Sequence, residues 1–126
     1  MQLTVTVTKK DDATFVVTPM GVISSETYTA LEEKINQVLG TTATTVIFDM
    51  QGITYMSSIG VSLILKAKKE LEGRSGSVLL TNLQPQIRKV FDIVKALPSQ
   101  NIFKNIQELD EYLARMQKRA EEGDAS

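Results

Sequence analysis

Apolar and polar side chains alternate from the first residues of the chain. Leu3-Thr4-Val5-Thr6-Val7-Thr8 has period two, the pattern of a strand with one buried face. Lys9-Lys10-Asp11-Asp12 reads as a turn, and Ala13-Thr14-Phe15-Val16-Val17-Thr18 as the second strand of a hairpin. Pro19-Met20-Gly21 is expected to break that strand, with Val22-Ile23 extending the apolar run. Ser24 or Ser25 is expected to cap a helix, with Glu26 in its first turn. Tyr28, Leu31, Ile35, Val38 and Leu39 then recur at helical spacing, and Gly40 ends the run.

The second half alternates strand and helix. Thr45-Val46-Ile47-Phe48 is short and nearly all apolar, as in an interior strand covered on both faces, and Asp49 closes it. Met50 to Met56 reads as a loop, followed by a helix from about Ser58 to Leu71. Gly73-Arg74-Ser75-Gly76 is a flexible connection, and Ser77-Val78-Leu79-Leu80-Thr81 is expected to be another buried strand. Pro85 suits the first turn of a helix striped by Ile87, Val90, Phe91 and Val94. Pro98 falls in a loop, Ile102-Phe103 reads as a very short strand, and Leu109, Tyr112, Leu113, Met116 and Ala120 stripe a last helix. The order β-β-α-β-α-β-α-(β)-α predicts an α/β fold. Its central sheet is mixed and mostly parallel, with four to five strands, about four helices and an N-terminal β-hairpin. Residues 1–116 are expected to form one domain, with 117–126 the end of the last helix and a polar tail that frays.

Composition narrows the chemistry. The 126 residues hold 14 Lys+Arg against 15 Asp+Glu, with no His, no Cys and no Trp. Without Cys there is no disulfide, thiolate nucleophile or Cys-ligated metal, and without His there is no Ser-His-Asp triad. Conventional hydrolytic catalysis and zinc chemistry are thereby disfavoured, and no cofactor is expected. A net charge of −1 gives no electrostatic footprint for nucleic acid. No apolar run approaches the roughly 18 residues that span a bilayer. The N-terminus lacks the basic-then-apolar order of a secretory signal. A soluble, cytoplasmic protein without membrane insertion is the expectation.

The run from Val46 to Leu65 carries the most information: VIFDMQGITYMSSIGVSLIL. A strand ending in Asp49 leads through a segment with Tyr55 and Met56 into Ser57-Ser58-Ile59-Gly60, which opens an apolar helix. The run resembles the STAS domain, named for sulfate transporters and anti-sigma-factor antagonists. The β-β-α-β order and the last amphipathic helix extend the resemblance over most of the chain, and the short length is similar to the stand-alone antagonist branch. Two positions depart from the family pattern. Ser57 stands where the family commonly has Asp, and Gly21-Val22-Ile23-Ser24 stands where it commonly reads Gly-Glu-Leu-Asp.

The resemblance implies a regulatory protein, not an enzyme. In its unphosphorylated form it would bind an anti-sigma factor that is a serine kinase. Phosphorylation would end that binding and a phosphatase would restore it. By position Ser58 matches the phosphorylated serine, with Ser57 the second choice. The protein is expected to be a monomer or a weak dimer. Related readings are a STAS module of a stressosome-like or lipid-transport complex.

Physical chemistry is compatible with such a switch. A serine at a helix N-terminus sits beside unpaired N–H groups and the positive end of the helix dipole. A phosphate is accommodated there and adds about −1.5 to −2 charges. A plain N-cap is the alternative role for either serine, and both roles are compatible. Val61 and Leu65 lie three and seven residues beyond Ser58, on its face of the helix. If that face is exposed, Met56, Ser57, Ser58, Val61 and Leu65 form a partner surface rimmed by Lys66, Lys68 and Lys69. If the helix is buried all round, they do not. Asp49 is expected to order the loop before Ser58. A receiver-like reading, with Asp49 as phospho-acceptor and Asp11-Asp12 as its acidic pair, is disfavoured because Ala13 to Thr18 reads as a strand, not a helix.

Overall fold

The computed structural model describes residues 2–96 together with Arg115 and Lys118, both helical and exposed. Strand β1 (Leu3–Lys9) pairs antiparallel with β2 (Thr14–Ile23), and Leu3, Val5 and Val7 turn inward while the threonines face out. Asp11 holds the turn between them, accepting the Ala13 N–H at 2.9 Å. That bond chiefly sets its carboxyl below the usual carboxylate value.

β2 runs unbroken through Pro19, contrary to the sequence expectation. Its residues 14–17 pair parallel with β3 (Thr45–Asp49), and its residues 20–23 pair parallel with β4 (Gly52–Met56). Pro19 falls in the gap between these two partners, where a missing N–H costs no ladder bond on that side. Gly21, at φ +123°, marks a register shift at the start of the β4 pairing. A Cβ there would lie 2.2 Å from the Gln2 carbonyl oxygen, so only glycine fits. Residues 52–56, read above as loop, are therefore a strand. Its partner is the far half of β2, an arrangement that local patterning does not reveal.

β5 (Ser77–Thr81) pairs parallel with β3 and completes a five-stranded sheet, in which four strands run in the order β1-β2-β3-β5 and β4 lies beside the far half of β2. Helices α1 (Tyr28–Leu39), α2 (Ser58–Glu72) and α3 (Pro85–Ala96) supply the other layer. The last predicted strand, the tail and all of the last predicted helix except Arg115 and Lys118 lie outside the described residues, so three helices are described over their length. Leu31, Ile35 and Val38 of α1, Leu63, Ile64, Ala67 and Leu71 of α2, and Ile87 and Val90 of α3 join one core with Val17, Val46 and Phe48 of the sheet. Leu79 of β5 and Met20 of β2 point to the other sheet face and are more than half exposed.

Candidate functional site

The helix predicted to begin at Ser24 or Ser25 starts later, at Tyr28, because the preceding residues close a hydroxyl-linked turn. The Thr27 hydroxyl donates to the Val22 carbonyl at 2.7 Å and accepts the Ser24 N–H at 2.9 Å. The Ser24 hydroxyl accepts the Glu26 N–H at 3.2 Å. Thr27 is thus the N-cap residue of α1, and Ser24 shapes the turn before it.

This turn lies beside the start of α2, because β2 and β4 end side by side at Ile23 and Met56. The Ser57 N–H donates to the Ile23 carbonyl at 2.9 Å, and the Ser57 carbonyl accepts the Gly60 N–H at 3.0 Å. The first turn of α2 is therefore stapled to the end of β2. Gly60 permits the close approach: a Cβ there would stand 2.7 Å from both Ile23 Cγ2 and Met56 Cγ.

Ser57 and Ser58 occupy different environments. Ser57 is the N-cap, with extended angles φ −86° and ψ 175°, and is only 7% exposed. Its hydroxyl makes no capping bond. Among the described residues it is the one buried side-chain polar atom without a hydrogen-bond partner. Ser58, the first residue of α2, is half-buried and reaches the surface. Accessibility thus separates two serines that the sequence alone leaves adjacent.

The expected partner surface divides in the same way. Met56 is fully buried and Val61 is 3% exposed, so neither presents the apolar strip anticipated beside Ser58. The reason is that α2 packs against both the sheet and α1, and its buried arc is wide enough to include Val61. Leu65 is 46% exposed. Spacings of four, three and four place half-buried Ser58 and the exposed Ser62, Leu65 and Lys69 along one face, with Lys66 and Lys68 to either side. The ion pairs within 4.0 Å among the described residues are Lys9 with Asp12 and Arg74 with Glu70, so the three lysines around Leu65 are unpaired. The outcome is a single exposed leucine framed by cations, not an apolar strip.

Asp49 sits at the end of β3, where its carboxylate accepts the Gln51 N–H at 3.3 Å and the Asn82 amide at 3.2 Å. The Gln84 amide donates to the Gln51 carbonyl at 2.6 Å, and the Gln86 amide to the Thr54 carbonyl at 3.2 Å. These amides secure the side of β4 away from β2, and through it the approach to Ser57. The sequence reading passed over them. The run Asn82-Leu83-Gln84-Pro85-Gln86, with its amide at every second position, was the available signal. The acidic pair Asp11-Asp12 is not brought to Asp49. Its turn adjoins Thr14, which pairs with Thr45 at the opposite end of β3.

Among the described residues no helix is long and apolar enough to cross a membrane. The chain is 44% identical over 50 residues to an anti-sigma F factor antagonist of Lysinibacillus sphaericus, a match covering 40% of this chain and 43% of that relative. It therefore spans less than half the length of that protein. Two solved structures share the fold. SpoIIAA, an anti-sigma factor antagonist in its unphosphorylated form, superposes with a TM-score of 0.67 at 27% identity, covering 72% of this chain and 80% of that one. The Bacillus cell fate determinant SpoIIAA in its phosphorylated form gives 0.61 at 28% identity, covering 71% and 82%. The model of the STAS domain matches residues 4–109, from the first strand past the third helix, and the chain belongs to the STAS domain family.

Proposed function

We propose that this protein is an anti-sigma factor antagonist whose unphosphorylated form binds an anti-sigma factor acting as a serine kinase, and which phosphorylation of Ser58 releases. A separate phosphatase resets it. The protein itself performs no catalysis. The observation that carries this reading is one face of α2, which runs from half-buried Ser58 to exposed Leu65, framed by three lysines that make no ion pair among the described residues. Relatives bearing the antagonist name, and one relative seen both with and without phosphate, support it.

The arrangement makes a phosphate effective at low cost to the fold. Ser58 stands at the head of a 15-residue helix, where first-turn N–H groups and the helix dipole favour negative charge. The phosphate adds about −1.5 to −2 charges at neutral pH. It leaves Leu65 in place but changes the sign of the field at one end of the contact face. Leu65 acts as the apolar anchor, and Lys66, Lys68 and Lys69 as the rim. Met56, Ser57 and Val61 contribute from beneath by fixing the first turn, and Asp49 by ordering the bend ahead of β4.

The test combines the protein with ATP and purified anti-sigma kinases from its own genome, and locates the phosphate by mass spectrometry. Phosphate on Ser58 is expected, with none on Ser58→Ala. Ser58→Asp is expected to weaken binding by about tenfold or more, roughly 1.4 kcal/mol. Phosphate on Asp49, or binding indifferent to Ser58→Asp, sinks the mechanism.

A further inference from the structure

The buried hydroxyl of Ser57 makes no hydrogen bond among the described residues. It lies at the N-cap of α2, where a serine ordinarily accepts a hydrogen bond from an N–H of the first helical turn, and it makes no such bond. It has no other partner either, although the residue is 7% exposed. Native interiors rarely leave such a group unmatched, and the exceptions commonly mark a functional constraint. The residue next to it is the hydroxyl read above as the phosphate acceptor. The backbone holds Ser57 in place through its N–H to the Ile23 carbonyl and its carbonyl to the Gly60 N–H, so the side chain can turn about χ1 without disturbing the turn.

We infer that Ser57 is a positioning residue for the switch: when Ser58 carries a phosphate, the Ser57 hydroxyl rotates and donates a hydrogen bond to a phosphate oxygen. This rests on the reading of Ser58 as the modified residue. A hydroxyl suits the place. It loses nothing on rotating from its unpartnered state, and it carries no charge to repel the phosphate. A charge-assisted O–H to phosphate bond is among the stronger kinds, and it favours the dianion over the monoanion. The phosphorylated state is thereby stabilised, while the unphosphorylated state is indifferent to the hydroxyl.

The experiment installs phosphoserine at position 58 by genetic encoding, so no kinase is needed. The second ionisation of the phosphate is then followed by phosphorus NMR in the Ser57 protein and in S57A and S57T. Because donation favours the dianion, the phosphate is expected to titrate at lower pH in the Ser57 protein than in S57A. The difference should be at least about twofold in the acid constant. S57T should restore the lower value. Glu26, in the turn that follows β2, is common to all three proteins and cancels from the comparison. Unphosphorylated S57A should melt no lower than the parent. Identical titrations, or a lower melting point of unphosphorylated S57A, overturn the inference. Neither outcome bears on whether a kinase selects Ser58, which the mass spectrometric mapping decides separately.

Discussion

Gly60 shows how one residue fixes the site. It is buried in the first turn of α2, against Ile23 at the end of β2 and Met56 at the end of β4, both fully buried. An alanine Cβ would stand 2.7 Å from carbons of each. Overpacking of this kind costs roughly 1–3 kcal/mol. The gain in helix propensity on replacing glycine returns at most about 1 kcal/mol. Gly60→Ala is therefore expected to destabilise the fold by on the order of 1 kcal/mol, read as a lower urea midpoint at unchanged slope. Ser57 and Ser58 present the complementary case: adjacent, chemically identical, and divided only by burial. Replacing Ser57 by alanine removes a hydroxyl that makes no bond in the resting state, so the two substitutions in this one turn should differ clearly in their effect on stability.

At the scale of elements, α1 is fastened by a residue far away in sequence. The Arg74 guanidinium, just after α2, donates to the Thr41 carbonyl at 2.9 Å, the Ala43 carbonyl at 3.3 Å, and also the Leu39 carbonyl. It thus ties down the C-terminal end of α1, where carbonyls lack helical partners and the dipole is negative. The side chain is 31% exposed, so water takes over part of what is lost when it is removed. Arg74→Met is expected to cost about 1.5 kcal/mol, the low end for bonds to a charged group, and to raise amide exchange in the last turn of α1. Lysine should recover only part of this, because a single ammonium cannot span three carbonyls. The sequence reading took Gly73-Arg74-Ser75-Gly76 as a plain connection. The partners of Arg74 lie 31 to 35 residues earlier and come within reach only when α1 and α2 pack together.

For the whole molecule, charge placement matters more than total charge. A net charge of −1 hides a local excess, because three lysines that make no ion pair among the described residues surround Leu65 on the Ser58 face. The proposed partner then presents carboxylates around an apolar contact. Lys66→Glu with Lys69→Glu is expected to slow association with the anti-sigma factor by about tenfold or more at low salt, with a smaller difference at 0.5 M salt. Both side chains are exposed, so the melting temperature should change little. Surface plasmon resonance at two ionic strengths checks this. An association rate insensitive to both substitutions and salt contradicts the charged rim.

Sequence by itself determined the layer order. Period-two alternation in β1, helical periodicity in α1 to α3 and the short apolar runs of β3 and β5 are local properties that mark the elements, but burial departs from the runs: in β5 Val78 and Leu80 are half-buried and Leu79 is 51% exposed. It also singled out Ser57-Ser58 at the head of α2, since a helix start and its polar residues are encoded within a few positions. Tertiary structure decided the rest. β4 is a strand because the far half of β2 lies free to pair with it, and Pro19 is tolerated because two partner strands meet beside it. Val61 is interior because α2 touches both the sheet and α1, so the buried arc exceeds what a single apolar stripe indicates. That Ser57 is the more buried of the two serines follows from the meeting of β2, β4 and α2. Burial is set by neighbours distant in the chain, and no local pattern records them.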